Sequence, residues 1–374
     1  MATDLRRRRL LAAMPALSLL AGLPPIAPAG TGQAAPADNG VAAPRLLTCW
    51  SDSATRPSRF HAGLPDHTDA ALALPARGHD IAWHPSGDGS AVVAARRPGS
   101  FLVRWQVASG RQLARFDADD ELRFEGHFAF HPDGRLLYAS ETDLITGDGQ
   151  IGVFDARTLQ RLAAWPSGGI GPHALLWLAD GRLAVANGGI LTLPETGRVK
   201  RNLDSMDPSL ALFDPGDGRL LAQHRLPDAF MSVRHLAQAS DGTVAVSLQN
   251  EGHELRPLFA VLDADRLRFG NADSALLEAC ARYAGDLAAV GDRFAVSCTH
   301  MGVTTLWSSA GDPLGVMPTP RVCALAPTAA GLLATSDGGD LWRLQIDAAD
   351  HHSPSSVRWP LGVALDNHAC DARA

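Results

Sequence analysis

The chain is 374 residues long, 46% hydrophobic and 20% charged, which excludes a disordered protein and supplies apolar material for one large core or two ordinary ones. A net charge of −7 and a pI near 6.0 exclude the basic field on which binding to a nucleic-acid backbone rests. The 36 Gly and 25 Pro fall between short apolar runs rather than in one linker, which is the spacing of many turns and hence of an all-β fold.

At the N-terminus, Arg6 to Arg9 are followed at once by Leu10 and Leu11. A weakly apolar stretch then runs to Leu23, broken by Pro15 and Gly22. It is too short and too interrupted to anchor in a bilayer. The Arg-Arg-x-Leu-Leu pattern resembles twin-arginine signals, and Ala27-Pro28-Ala29 or Ala35-Pro36-Ala37 suits small-residue cleavage. Residues 1–37 are therefore expected to be an export signal with its cleavage region. Residues 45–374 are expected to be one mature periplasmic domain with no membrane span. Cys49, Cys280, Cys298, Cys323 and Cys370 form no CxxC pair, which argues against a zinc ribbon, a thioredoxin-type site or c-type haem attachment.

Beyond this leader one unit recurs along the chain. Its clearest copies are Gly78-His79-Asp80-Ile81-Ala82-Trp83-His84-Pro85-Ser86-Gly87 and Gly126-His127-Phe128-Ala129-Phe130-His131-Pro132-Asp133-Gly134, each reading as strand, tight turn, strand. Weaker copies begin at Pro172-His173 and Arg234-His235, and two without the His begin at Tyr283 and Cys323. The starts His79, His127, His173, His235, Tyr283 and Cys323 lie 48, 46, 62, 48 and 40 residues apart, close to the roughly 40 to 50 of a four-stranded propeller blade. The longest interval carries an insertion from about Leu193 to Pro208, expected as a surface loop. Six starts leave a seventh blade to be assembled from Leu46–Ser51, Arg59–Gly63, Ala71–Pro75 and a C-terminal strand at Asp366–Cys370. That last strand should be innermost, because a propeller must close its ring. The expected fold is an all-β, seven-bladed β-propeller. Its closing blade sets Cys49 near Cys370, as a disulfide latch or as two unpaired core thiols.

In such a blade the start of the first strand and the end of the second share one face. That rule gathers His79, His127, His173, His235 and His368 around one channel mouth, with Tyr283 and Cys323 in the equivalent places. The second-strand ends Arg96, Arg97, Glu141, Asn187, Gln249 to Glu251, His300 and Asp337 are expected on the same rim. Imidazole is the commonest metal ligand, so the five His are the expected ligands of a transition metal such as Fe, Cu or Zn. Glu141, Glu251 and Asp337 are expected as carboxylates that add to the ligands or orient them, and Arg77, Arg97 and Arg234 as holders of an anionic ligand. A Gly-His at this junction also serves a structural role in WD-type propellers, which Gly78-His79 and Gly126-His127 resemble, although no Trp-Asp stands at the third-strand ends. His84 and His131, before Pro in the turns, belong to the far face, and the eight Trp are expected in the core.

The elements Arg77-Gly78-His79-Asp80, Gly126-His127, Gly171-Pro172-His173, Arg234-His235-Leu236-Ala237 and Asp366-Asn367-His368 resemble those of the bacterial family called domain of unknown function 1513. The likeness implies an exported propeller-like protein of iron-uptake systems, encoded beside imelysin-like lipoproteins and di-haem peroxidase-like proteins, which become the expected partners. It implies no catalytic residue. The leading expectation is a periplasmic protein binding a metal or small metal-containing ligand. The alternatives are a metal-dependent hydrolase, lactonase or oxidoreductase using Glu141 or Glu251 as base, and a scaffold for such a partner.

Overall fold

The computed structural model describes residues 44–97, 99–193, 197, 199–329, 331–346 and 356–372; the expected export signal lies outside them. Three short strands open the chain, β1 (Leu46–Ser51), β2 (Phe60–Gly63) and β3 (Leu72–Leu74). Blade one follows as β4 (Gly78–Trp83), β5 (Ser90–Ala95), β6 (Phe101–Gln106) and β7 (Arg111–Asp117). Blade two is β8 (Leu122–Phe130), β9 (Leu136–Asp143), β10 (Gly149–Asp155) and β11 (Arg161–Pro166). Blade three is β12 (Pro172–Trp177), β13 (Leu183–Asn187), β14 (Ser209–Asp214) and β15 (Arg219–His224). Blade four is β16 (Met231–Gln238), β17 (Val244–Asn250), β18 (Phe259–Asp263) and β19 (Arg266–Phe269), after which a short helix α1 (Ser274–Cys280) intervenes. Blade five is β20 (Asp286–Val290), β21 (Arg293–Cys298), β22 (Val303–Ser308) and β23 (Pro313–Pro318). Blade six is β24 (Val322–Thr328), β25 (Gly331–Ser336), β26 (Asp340–Leu344) and β27 (Ser356–Pro360), and β28 (Ala364–Asp371) ends the chain.

Each sheet is antiparallel with four strands, and the seventh runs β28-β1-β2-β3, so the closing blade joins both ends of the domain as expected. Strands β4, β8, β12, β16, β20, β24 and β28 pack each against the next and β28 against β4, which closes the inner ring. The closure is pinned by the ladder Leu46↔Asp371 to Ser51↔Ala364 and by Thr48 Oγ1 donating to the His368 carbonyl at 2.9 Å. This makes β28 innermost. Cys49 and Cys370 pack in one cluster there with no disulfide between them, so the latch is hydrophobic and hydrogen-bonded rather than covalent.

The middle strands face a neighbouring blade on both sides, so β5 and β13 are buried along their whole length and read as unbroken apolar runs. Full burial of each Val or Leu contributes roughly 1.5–3 kcal/mol. The outer strands β7 and β15 are largely exposed. Trp105 and Trp307 are fully buried between sheets, in keeping with their expected core role. The hairpin between β8 and β9 turns at Asp133-Gly134, where Gly134 has φ 71°, a value costly for residues with a Cβ. His131 Nδ1 accepts from the Asp133 amide at 3.2 Å, and His84 Nδ1 accepts from the Ser86 amide at 3.2 Å, so both serve as turn caps.

Candidate metal centre

The inner strands carry His79 on β4, His127 on β8, His173 on β12, His235 on β16 and His368 on β28 to one place on the axis. All five are buried, with 4–8% of their surface exposed. Their rings stand mostly edge to face in a closed circuit, with centroids 4.8 Å apart from His79 to His127, 4.1 Å to His173, 4.9 Å to His235, 5.1 Å to His368 and 4.6 Å back to His79. His127 Nε2 and His173 Nε2 lie 3.1 Å apart. Three overlapping sets offer ligand atoms within 4.8 Å of one another: His79, His127 and His368; His127, His173 and His235; and His235, Asp286 and His368.

Carboxylates stand behind four of the five rings. Asp366 Oδ1 lies 3.3 Å from His79 Nδ1, Asp80 Oδ2 lies 3.6 Å from His127 Nδ1, and Asp286 faces His235 Nδ1 at 3.7 Å and His368 Nδ1 at 3.6 Å. A carboxylate at Nδ1 fixes the ring and keeps the proton there, leaving Nε2 as the lone-pair nitrogen. Backbone amides hold these acids in turn. Asp80 accepts from Ile81 on its own strand and Phe128 on the next blade, and Asp286 accepts in the same way from Leu287 and Leu325. The shared pattern puts Asp286 of blade five at the register of Asp80 of blade one. Tyr283, expected at that register, lies before β20 and stacks on His300 instead.

Burial holds His79, His127, His173 and His235 well below the ordinary value of 6.5, with neighbouring positive charge pushing most of them further. His368 goes the other way. Burial opposes its charge, but Asp286, with Asp80 and Asp366 beyond it, outweighs burial and raises it. His368 Nε2 nevertheless has no hydrogen-bond partner among the described residues.

Above the imidazoles lies a layer of arginines. Arg77 and Arg96 both pair with Asp366, and Arg96 also donates to Asn367 at 3.2 Å. Arg97 pairs with Glu125 at 2.8 Å and Arg123 with the same carboxylate at 2.6 Å. Glu125 is a mouth carboxylate that the repeat did not single out. Described residues between β13 and β14 reach this layer: Ile190, Thr192 and Met206 are buried, Arg123 and Arg97 donate to Thr192, and Lys200, within the expected insertion, pairs with Glu251. Arg234 makes neither hydrogen bond nor ion pair among the described residues; burial and Arg97 push its guanidinium down to about 10.

Glu141 does not join the site. Side chains alternate along a strand, and Ser140 and Thr142 of β9 reach His127 and Glu125, so Glu141 between them turns to the opposite face. Its carboxylate lies over Gly152 and accepts from Arg161 on the outer strand β11 at 2.7 Å, and burial pushes it up to about 7 despite that arginine. Asn187 bonds Ser167, Cys323 Sγ faces the Arg321 carbonyl, and Asp337 pairs with Arg321 at 2.6 Å, so none of these completes the ring of imidazoles.

The fold and this centre define a seven-bladed propeller with buried imidazoles on its axis. The family model described as protein of unknown function (DUF1513) matches residues 72–371, and the chain belongs to that family. No curated protein matches it. Among solved structures it is similar to "Structure of U3-55K" (13% identity, 79% of this chain and 85% of that one, TM-score 0.56). It is similar as well to "Crystal structure of RRP9 WD40 repeats" (13%, 79% and 84%, 0.56) and "Structure of Dos1 propeller" (13%, 83% and 82%, 0.53). At that identity the likeness shows the propeller fold alone. Among the described residues no helix is long and apolar enough to cross a membrane.

Proposed function

We propose that the His cluster holds a transition-metal ion, Fe, Cu or Zn, and that the protein is a metal-binding propeller. The observation that carries this is the orientation of the imidazoles: carboxylates occupy Nδ1 of four rings, while His127 Nε2 and His173 Nε2 face each other at 3.1 Å. A proton on one of these two nitrogens joins them as a hydrogen bond, and a cation that replaces that proton would be held by both lone pairs. Metal–nitrogen bonds of about 2.0–2.1 Å in tetrahedral geometry put neighbouring ligands roughly 3.3 Å apart, close to what is seen. Five buried imidazoles and an unpartnered His368 Nε2 are costly for a site with only a packing role.

His127 and His235 between them enter all three ligand sets, so the His127→Ala, His235→Ala double variant is the test. Metal analysis should find near-stoichiometric metal in purified wild-type protein and a background level in the folded double variant. Equal metal in both overturns the reading. The enzymatic alternative is weaker because its named bases are engaged elsewhere, Glu141 by Arg161 and Glu251 by Lys200. Twin-arginine export, which passes folded proteins, fits loading before passage. Delivery to an imelysin-like or di-haem peroxidase-like partner in iron handling rests on the family resemblance, and co-purification from cells tests it.

A further inference from the structure

The mouth above the His cluster has more positive charge than its own carboxylates neutralise. Arg77, Arg96, Arg97, Arg123, Arg234 and Lys200 are six cations, whereas Asp366, Glu125 and Glu251 are three anions, an excess of three in a chain of net charge −7. The deeper Asp80 and Asp286, beside the imidazoles, reduce that excess to one. The unmatched charge has an address. Arg234, next to His235 on β16, has no hydrogen-bond or ion-pair partner among the described residues.

Ser232, two positions earlier on β16, is fully buried, and its Oγ also lacks a partner among the described residues. Both groups come together beside the Gly188 backbone. A Cβ placed on Gly188 would stand 2.9 Å from Ser232 Oγ and 3.4 Å from Arg234 Nη1, too close for a side chain, so the hydroxyl and the guanidinium are neighbours held against a position that only Gly can occupy. A buried hydroxyl and a guanidinium without partners among the described residues are hydrogen-bond donors suited to a planar or tetrahedral oxyanion.

We infer that Arg234 and Ser232, with Arg97 beside them, bind an oxyanion that shares the mouth with the metal, either a small free anion or an oxyanion group of the molecule that carries the metal. The inference rests on the metal reading for its second partner, and the experiment separates the two. Full-length mature protein, metal-loaded and metal-free, is titrated by calorimetry with bicarbonate, phosphate and citrate, and metal content is measured on the same samples.

Wild-type loaded protein should bind at least one of the three anions, and R234Q should lose at least tenfold in that affinity while retaining its metal. Arg234→Lys, which keeps the charge but not the fork, should fall between them. Response to bicarbonate or phosphate assigns a free co-ligand, and response to citrate alone assigns the oxyanion to a metal-carrying polycarboxylate. Loaded wild-type protein that binds none of the three, or R234Q with unchanged affinity, overturns the anion site and leaves the metal reading standing. Arg234-dependent binding in a protein that never retains metal does the reverse.

Discussion

Asp286 is the most informative single residue in this centre because it serves two imidazoles. Its carboxylate faces His235 Nδ1 at 3.7 Å and His368 Nδ1 at 3.6 Å while accepting from the Leu287 and Leu325 amides at 2.9 and 2.8 Å. Asp286→Asn keeps the volume but removes the charge and gives one of those amides an NH2 group to face instead of an acceptor. Loss of a carboxylate behind a metal-bound His costs typically 10–100-fold in metal affinity, or about 1.4–2.8 kcal/mol. With two rings released, the upper half of that range is expected. A competition titration with a chromophoric chelator reads the change directly, and Asp133→Asn in a far-face turn should leave it unmoved. Affinity in Asp286→Asn within twofold of wild type would refute the claim that this carboxylate orients the site.

Four further outcomes follow from the same structure. Metal at about 100 times its Kd should stabilise the wild-type protein by about 2.7 kcal/mol in thermal melts and leave the His127→Ala, His235→Ala variant unshifted. In the metal-free protein the depressed His79, His127, His173 and His235 bind fewer protons than they do unfolded, so stability should fall as pH drops below 6.5, read by denaturant midpoints. Glu141, raised from 4.5 to about 7, has the opposite sign: the unfolded chain ionises first, and stability is lost at about 1.4 kcal/mol per pH unit as pH rises across that window. Glu141→Gln should therefore gain stability over wild type above pH 7 and little below pH 4.5, with metal content unchanged. Truncation before β28 removes Asp366 and His368 together and opens the inner ring, so it should abolish cooperative unfolding as well as metal retention.

The blades and their closure were legible in the sequence because both are local. Asp133-Gly134 and its counterparts mark hairpins, and the recurring His at strand starts marks equivalent inner strands. Radial symmetry then brings residues as distant as His79 and His368 together. What escaped was set by register and by long-range contacts. Pleating turns Glu141 away from the rim that its strand position suggests, whereas Glu125, inside the conspicuous Gly126-His127 element, was passed over and sits at the mouth. In blade five Asp286 takes the register of Asp80, and Tyr283, expected at the register of the His, lies too early to enter the inner strand. Asp80 follows His79 and Asp366 stands two residues before His368, a signal that a search for carboxylates near imidazoles would have found. The approach of Thr192 and Lys200 to the mouth joins parts of the chain 69 and 51 residues apart, respectively, and has no local signature.

Anomalous diffraction from crystals of the metal-loaded protein tests the central claim most directly. The account predicts one strong peak on the propeller axis, about 2.0–2.2 Å from imidazole nitrogens that include His127 or His235. Crystals that carry metal but show no peak among these five rings, or that place it at the far-face His84 or His131, would contradict it.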